Sequence, residues 1–243
     1  MRIAVLSDIH GNYWALSRVL KDIESKKPDL ILNLGDSLYG PLKPQLTFDL
    51  LKSYDIKSIS GNQDRNITEN FSRPTDNKTL QYVVNDLNNE AIEWLSSLPK
   101  TKIISSVFMC HGTPDSDTTY LLEELYPTHK TLRGVNRIEE LLKGVNEGIV
   151  LCGHSHTHRI VQTSKRYVIN PGSVGLSAYD ESHPTYHKVE SFNSMTQYSI
   201  IDIINSEINV EQVSLNYDYE KAAICASQNN RADWAKWLRT GMV

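Results

Sequence analysis

The sequence predicts an α/β fold, on three observations. The first sixty residues alternate short apolar runs with segments of helical period, turn-separated β-type runs take over after residue 159, and five apolar runs end in Asp, Asn or His, most of them beside a glycine. In chain order, "RIAVLS" reads as a short apolar strand. "NYWALSRVLKDIESKK" follows with Ala15, Leu16, Val19, Leu20 and Ile23 at helical spacing and Asn12 placed as an N-cap. "DLILNLGD" is a buried strand, "PQLTFDLLKSY" a helix and "IKSIS" a strand again, so this part reads β-α-β-α-β and implies a parallel sheet. The Gly61-Asn62 pair after "IKSIS" is a hairpin signal, but "QDRNITENFSRPTDN" holds no second alternating run to pair back. The chain is expected to leave the strand and wander there.

Further on, "TLQYVVNDLNNEAIEWLSSL" reads as one long helix ended by Pro99, "KIISSVFMCHG" as a strand, "VNRIEELLKGVNEG" as a helix and "GIVLCGHSH" as a strand. The runs "RIVQT", "RYVIN", "YSIIDII" and "NVEQVSL", with turn pairs at Ser164-Lys165 and Ser206-Glu207, predict antiparallel β-structure, and the tail "YEKAAICASQNNRADWAKWLRTGMV" predicts helix. No repeat, low-complexity tract or Pro/Gly linker marks a boundary, so residues 1–243 are expected to form one domain.

Composition excludes some functions. Lys plus Arg number 25 against 29 Asp plus Glu, and a net charge of −4 gives no broad cationic surface for a nucleic-acid backbone. Cys110, Cys152 and Cys225 form no C-x-x-C pair, which suits a reducing compartment and buried thiols. The segment "MRIAVLSDIHGN" contains no apolar stretch of signal-peptide length, and no run approaches the roughly 20 apolar residues of a membrane span. A soluble, cytoplasmic protein is the expectation.

Chemistry collects at the strand ends. Asp8, His10 and Asn12 follow the first strand, Gly35-Asp36 the second and Gly61-Asn62 the third; His111-Gly112 follows "VFMC", and Gly153-His154-Ser155-His156 follows "IVLC". Ligands of open α/β sheets sit at the carboxyl ends of strands, and glycine lets backbone approach a ligand closely. Taken singly, an Asp there is commonly a cap or turn residue, and a His a hydrogen-bonded edge residue. Two carboxylates, an amide and four imidazoles crowded on one sheet edge would repel one another or go unpaired without a cation, and divalent metal ions are the natural answer.

The ordered set D-x-H, G-D, G-N-x-D, H-G and G-H-x-H resembles the calcineurin-like metallophosphoesterases over residues 1–175. The strings "SDIHGNYWAL", "LGDSLYGP", "GHSHTH" and "INPGSVG" are similar to a bacterial branch of diadenosine-tetraphosphatase-like phosphodiesterases. The resemblance implies a four-layer α/β/β/α sandwich with two mixed β-sheets. It implies one metal on Asp8, His10, Asp36 and His156, and a second on the shared Asp36 with Asn62, His111 and His154. Mixed N/O ligands suit Mn, Fe, Zn or Ni, and family habit favours Mn. A bridging hydroxide attacking phosphorus is the implied chemistry, with Asp36, Asn62, Gln63 and Asp64 as the catalytic set. In most relatives a His stands after the Asn, held by the following acid to protonate the leaving oxygen; this chain has Gln63 before Asp64.

Substrate contacts are expected from Asn12, Tyr39, Arg65 and His158, with Arg133 as a further candidate clamp and Asn170 to Gly175 as a wall beside the metals. His158, His183 or His187 could donate the proton that Gln63 lacks. The expected function is a dinuclear phosphodiesterase acting on a small nucleotide, such as a diadenosine polyphosphate, or on an activated phosphodiester. Phosphomonoester or phosphoprotein hydrolysis stays open, as does a non-catalytic binding scaffold on the same fold. No organic cofactor, membrane or nucleic-acid partner is implied, and oligomeric state is open.

Overall fold

The structure is a computed structural model in which residues 1–126, 129–205 and 207–243 are described. Ser206, half of the expected Ser206-Glu207 turn, lies outside the described residues. Two five-stranded mixed sheets form the centre. The first contains β1 (Arg2–Leu6), β2 (Leu30–Asn33) and β3 (Ile56–Ser58) in parallel, with β13 (Thr196–Ile204) antiparallel to β1 and β14 (Glu207–Leu215) antiparallel to β13. The second contains β5 (Val107–Cys110), β8 (Ile149–Leu151) and β10 (Tyr167–Asn170) in parallel, flanked by antiparallel β4 (Thr101–Ile104) and β9 (Arg159–Gln162).

Side-chain alternation along the strands builds the layers. Ile3 and Val5 of β1 and Leu32 of β2 face Val107 and Met109 of β5 and Leu151 of β8 in a core between the sheets. The opposite face of β1, Ala4 and Leu6, packs against α1 (Tyr13–Lys26), α2 (Pro44–Lys52), α3 (Asn62–Asn70), α4 (Lys78–Asp86) and α5 (Asn89–Ser97). Phe108, Cys110, Val150 and Cys152 cover the far side of the second sheet with α6 (Val135–Leu141). The result is the α/β/β/α sandwich. Two hairpins, β6 (Glu123–Tyr126) with β7 (His129–Leu132) and β11 (Ala178–Glu181) with β12 (His187–Glu190), and the pair α7 (Tyr219–Gln228) and α8 (Ala232–Thr240) complete it.

Several local expectations are corrected. The chain does not wander after Gly61: α3 starts at once, because Asp64 Oδ2 accepts from the Gly61 N–H at 3.1 Å and caps the first turn. Residues 79 to 98 are not one helix. Leu87 is extended and Asn88 Oδ1 accepts from the Ala91 N–H at 2.9 Å, so a competing Asn cap starts α5 anew. "KIISSVFMCHG" is a hairpin rather than a strand, since Ser105 and Ser106 both take positive φ (49° and 65°) and turn β4 back onto β5. The tail breaks into α7 and α8 at Asn229-Asn230, with Asn230 at φ 59°. No helix among the described residues is long and apolar enough to cross a membrane.

Candidate metal centre

The parallel strands of both sheets deliver their C-terminal ends to one place. Asp8, His10 and His156 place one ligand atom each within 4.8 Å of one another, and so do Asp36, His111 and His154. Backbone geometry accounts for how five of these fit. Asp8, His10, Asp36, His154 and His156 all have φ between 49° and 65°, a region that costs non-glycine residues roughly 1–3 kcal/mol each and is held by surrounding contacts. The contacts are present. Asp8 N–H donates to Gly35 O (3.0 Å), His10 N–H to Asp36 O (2.9 Å), and Ser173 Oγ and the Gly175 N–H both donate to Asp8 O.

Each of three imidazoles is fixed through Nδ1 on a backbone carbonyl: His10 on Tyr39 O (3.0 Å), His111 on Leu34 O (2.8 Å) and His156 on Leu176 O (2.8 Å). Donation from Nδ1 leaves Nε2 of the neutral ring as a bare lone pair. Those lone pairs converge. His10 Nε2 lies 3.1 Å from His156 Nε2, and His111 Nε2 lies 3.0 Å from Asn62 Oδ1. Asp8 Oδ1 lies 3.3 Å from His156 Nε2, is buried and has no hydrogen-bond partner. Asp36 Oδ2 faces both sets, 4.0 Å from His10 Nε2 and 3.5 Å from His111 Nε2. Acceptors facing acceptors in a buried site are unfavourable by themselves and become favourable around a cation. The donor set therefore fits two divalent metal ions, with Asp36 placed between them.

The field agrees with that fit. Burial disfavours an imidazolium at His111, yet the carboxylates of Asp36 and Asp8 outweigh burial and push it up to about 10, so the site draws positive charge to Nε2, as a proton or, in its place, a metal ion. Burial and the neighbouring His156 hold His10 down at about 4, and burial with His111 does the same for His154. Asp36 is held low: burial opposes ionisation, but His111 and His10 more than offset it. Gly61 permits the close approach on which Asp36 depends, since a Cβ there would lie 2.2 Å from Asp36 Oδ1. The Gln63 N–H, in the first turn of α3, donates to that same oxygen at 2.7 Å.

A calcineurin-like phosphoesterase superfamily domain matches residues 1–191. The chain belongs to that superfamily. A protein of unassigned function from Methanocaldococcus jannaschii is 26% identical over 258 aligned residues, 96% of this chain and 94% of the relative. Among solved structures, a metallophosphoesterase from Sphaerobacter thermophilus has a TM-score of 0.73 at 20% identity, covering 97% of this chain and 100% of its own. A hypothetical protein from Pyrococcus horikoshii has a TM-score of 0.77 at 19% identity, covering 99% and 98%.

Within this calcineurin-like phosphoesterase the other expected residues separate. Gln63 and Tyr39 line a cavity of about 230 Å³ that opens beside His10, Asp36, His154 and His156. Asp64 does not line it: fully buried, it accepts from the Ser37 and Gly61 N–H groups, and burial together with Asp36 raises its carboxyl to about 7. Asn12 is not positioned for substrate either, because its side chain caps α1 and donates to Gly175 O and Tyr217 Oη. Arg65 borders a separate polar depression and is held by Asp117 and Glu69. Arg133 is spent on the carbonyls of Tyr120, Leu121 and Glu123. His158 sits near the Tyr198 backbone on β13, away from the cavity lining, and His183 is exposed. His187 is joined to the site indirectly, through Tyr120 Oη at 2.8 Å and from there Tyr179. Asn170 to Gly175 do not line the cavity; they brace the loops behind it, with Asn170 Nδ2 donating to Gly153 O and Ser155 Oγ and Ser173 Oγ to Asp8 O. Sequence reading missed Tyr120, Leu176, Tyr179, Arg231, Trp234 and Trp237, all of which line the cavity.

Proposed function

We propose that the chain is a dinuclear metal-dependent phosphodiesterase acting on small nucleotides, such as diadenosine polyphosphates, or on activated phosphodiesters. The observation that carries this reading is the pair of buried donor sets meeting at Asp36, with the Nε2 lone pairs of His10 and His156 opposed at 3.1 Å, beside a cavity. Asp8, His10, Asp36 and His156 would hold one metal and Asp36, Asn62, His111 and His154 the other, manganese being the favoured ion of a set that also suits Fe, Zn or Ni. When bound, such a pair supplies an activated water and positive charge for the transferring phosphoryl group.

The chain's own residues do the rest. The Gln63 N–H keeps Asp36 Oδ1 turned into α3, so that Oδ2 remains directed at both histidine sets. The His154 N–H holds Asp8 Oδ2 at 3.1 Å and leaves Oδ1 for the centre. The three Nδ1–carbonyl contacts fix tautomer and ring orientation before any ligand arrives, which keeps reorganisation small. Gln63 offers an amide N–H to a departing oxygen but no titratable proton, and this favours substrates whose leaving group is already a stable anion. One further structure carries a provisional diadenosine tetraphosphatase name (TM-score 0.54, 19% identity, 87% of this chain and 93% of its own), consistent in fold with that substrate class.

The test is metal analysis and hydrolysis by the metal-reconstituted protein across diadenosine polyphosphates, cyclic nucleotides, aryl phosphodiesters and phosphomonoesters. Two metals per chain with preferred turnover of diesters or anhydrides is the expected result. Preferred turnover of monoesters, or tight metal binding with no turnover at all, would refute it.

A further inference from the structure

The two flanks of the candidate metal centre have different chemistry. On one side lies a depression of about 320 Å³ bordered by His111, Arg65, Lys100, Asp115 and Asp117, with no aromatic ring other than the imidazole among its described residues. On the other side lies the 230 Å³ cavity, walled by Tyr39, Leu176, Tyr179, Trp234 and Trp237. The aromatic wall begins where the metal donors end. Trp234 stands edge-on to His10 with ring centroids 5.9 Å apart, and Tyr179 lies 4.5 Å from His156. A phosphoryl group held by the donor sets would direct one substituent onto these rings.

The rings are held as rigid surfaces. Arg231 lies over Trp234, 5.5 Å from its centroid, with its guanidinium fixed by Asp233 and Thr79. Tyr39 is held through its hydroxyl on Asn77, and Tyr179 through its hydroxyl on His154 O at 3.0 Å. α8 is tied to the domain by Ser177 Oγ on Trp237 O at 2.9 Å and by the Val243 N–H on Glu190 at 2.8 Å. Trp234 and Trp237 also pack with α7, and a purely structural role would end there. The rim argues for more. Asp180, Glu181 and Asp233 bring three carboxylates to this flank against Arg231, the one Lys or Arg among its described lining residues, so a second phosphate is repelled while a neutral ring with N–H donors is accepted.

We propose that α8 and β11 form a binding subsite for a flat, uncharged aromatic group, a nucleobase or an aryl ring, carried on the phosphorus of the substrate. Trp234, Trp237 and Arg231 lie beyond residue 191, outside the part matched by the superfamily domain, while Tyr39, Leu176 and Tyr179 lie within it, so the subsite is shared between the matched part and the C-terminal helix. Its volume is below the roughly 300–1,000 Å³ of a drug-sized site, which gives room for one ring system and places the distal half of a dinucleotide outside. The proposal rests on the hydrolytic reading only for the position of the phosphate.

The experiment uses the native chain, residues 1–243, loaded with manganese and follows tryptophan fluorescence during titration with adenosine 5′-monophosphate, ribose 5-phosphate and phenyl phosphate. A base stacked on aromatic side chains contributes enough for about a tenfold or greater preference for the adenosine ligand over the ribose one. Equal affinities overturn the subsite. Phenyl phosphate matching the adenosine ligand assigns the ring as a general aryl group; matching ribose 5-phosphate, it assigns a nucleobase read by the rim carboxylates. Trp234→Leu should erase the preference and Trp234→Phe should recover part of it. The comparison within the native protein decides the question even if the leucine variant fails to fold. Hydrolysis of bis(p-nitrophenyl) phosphate is measured alongside. Turnover without aromatic preference removes the subsite and leaves the hydrolytic reading, whereas aromatic preference without turnover does the reverse.

Discussion

The two walls of the cavity were built by different rules. On the sheet side every candidate ligand follows a buried strand within a few residues, and five of them adopt left-handed backbone where glycine would be easier. On the α8 side Tyr39 comes from the "LGDSLYGP" string, but the other contributors come from residues 120, 176–181 and 231–237, in ordinary conformations, on elements with no shared motif. Metal chemistry requires donors within tenths of an ångström, so spacing and strain leave a pattern in the chain. A recognition surface requires only apolar area in the right place, and apolar area in a sequence looks like core. Substitutions on the sheet side should therefore act abruptly and on metal content, and those on the α8 side gradually and on affinity.

The largest effect that would break this contrast lies at Asp36. Replacing the shared carboxylate by an amide, Asp36→Asn, is expected to deplete both metals together and lower turnover by roughly 10² to 10³-fold or more, the scale of removing a preorganised charge. Elemental analysis of the purified variant with full occupancy at both sites would sink the shared-ligand assignment. Next come the histidines of "GHSHTH". His154→Ala and His156→Ala should each weaken metal binding by at least about 10- to 100-fold, while His158→Ala should leave it intact. Metal titration by calorimetry checks this, and a site emptied by the His158 change alone would move the register by two residues.

What the chain disclosed in advance follows the same division. The strand-end Asp and His residues were readable because each sits beside an apolar run of the right length, whereas the layer order came only with the family resemblance: "RIAVLS" reads as uniformly apolar, and the structure alone divides Ile3 and Val5 from Ala4 and Leu6. The α3 start was not readable, because Gly61 has no side chain to cap with and the signal is Asp64 reaching back three residues. Asn88 and Ser105-Ser106 interrupted a helix and a strand through local polar turns whose competition with regular structure depends on context. Trp234 and Trp237 lie in a tail that reads only as helix, and the structure packs them into a core cluster; only tertiary placement beside His10 reveals the second use.

Asn12 sharpens the contrast from the structural side. Its side chain caps α1 and tethers Gly175 O and Tyr217 Oη, so Asn12→Ala should cost about 1–3 kcal/mol of stability through buried groups left unpaired. Chemical denaturation measures that directly. KM per folded molecule should hardly change, and a large rise in KM at unaltered stability would return Asn12 to the substrate.

The smallest effect is expected at Gln63, where the two walls meet. A positioned general acid contributes about 10² to 10⁴-fold, most for leaving groups that are poor anions. Gln63 has no proton to give, so rates in the native protein should depend steeply on leaving-group pKa, with anhydrides and aryl diesters cleaved well and alkyl diesters poorly. Gln63→His would place an imidazole beside the cavity, but the acid that follows it is not free to orient that ring. Asp64 is buried, with Oδ1 taken by the Ser37 N–H at 2.9 Å and Oδ2 by the Gly61 N–H at 3.1 Å. An unsupported imidazole should recover only a small fraction of the general-acid effect, a few-fold gain for alkyl diesters and a modest flattening of the dependence. Rates against leaving-group pKa for both proteins make the measurement. A shallow dependence already present in the native protein would mean that another group donates, and the hydrogen-bonded chain from His187 through Tyr120 to Tyr179 at the cavity wall would then be the place to look.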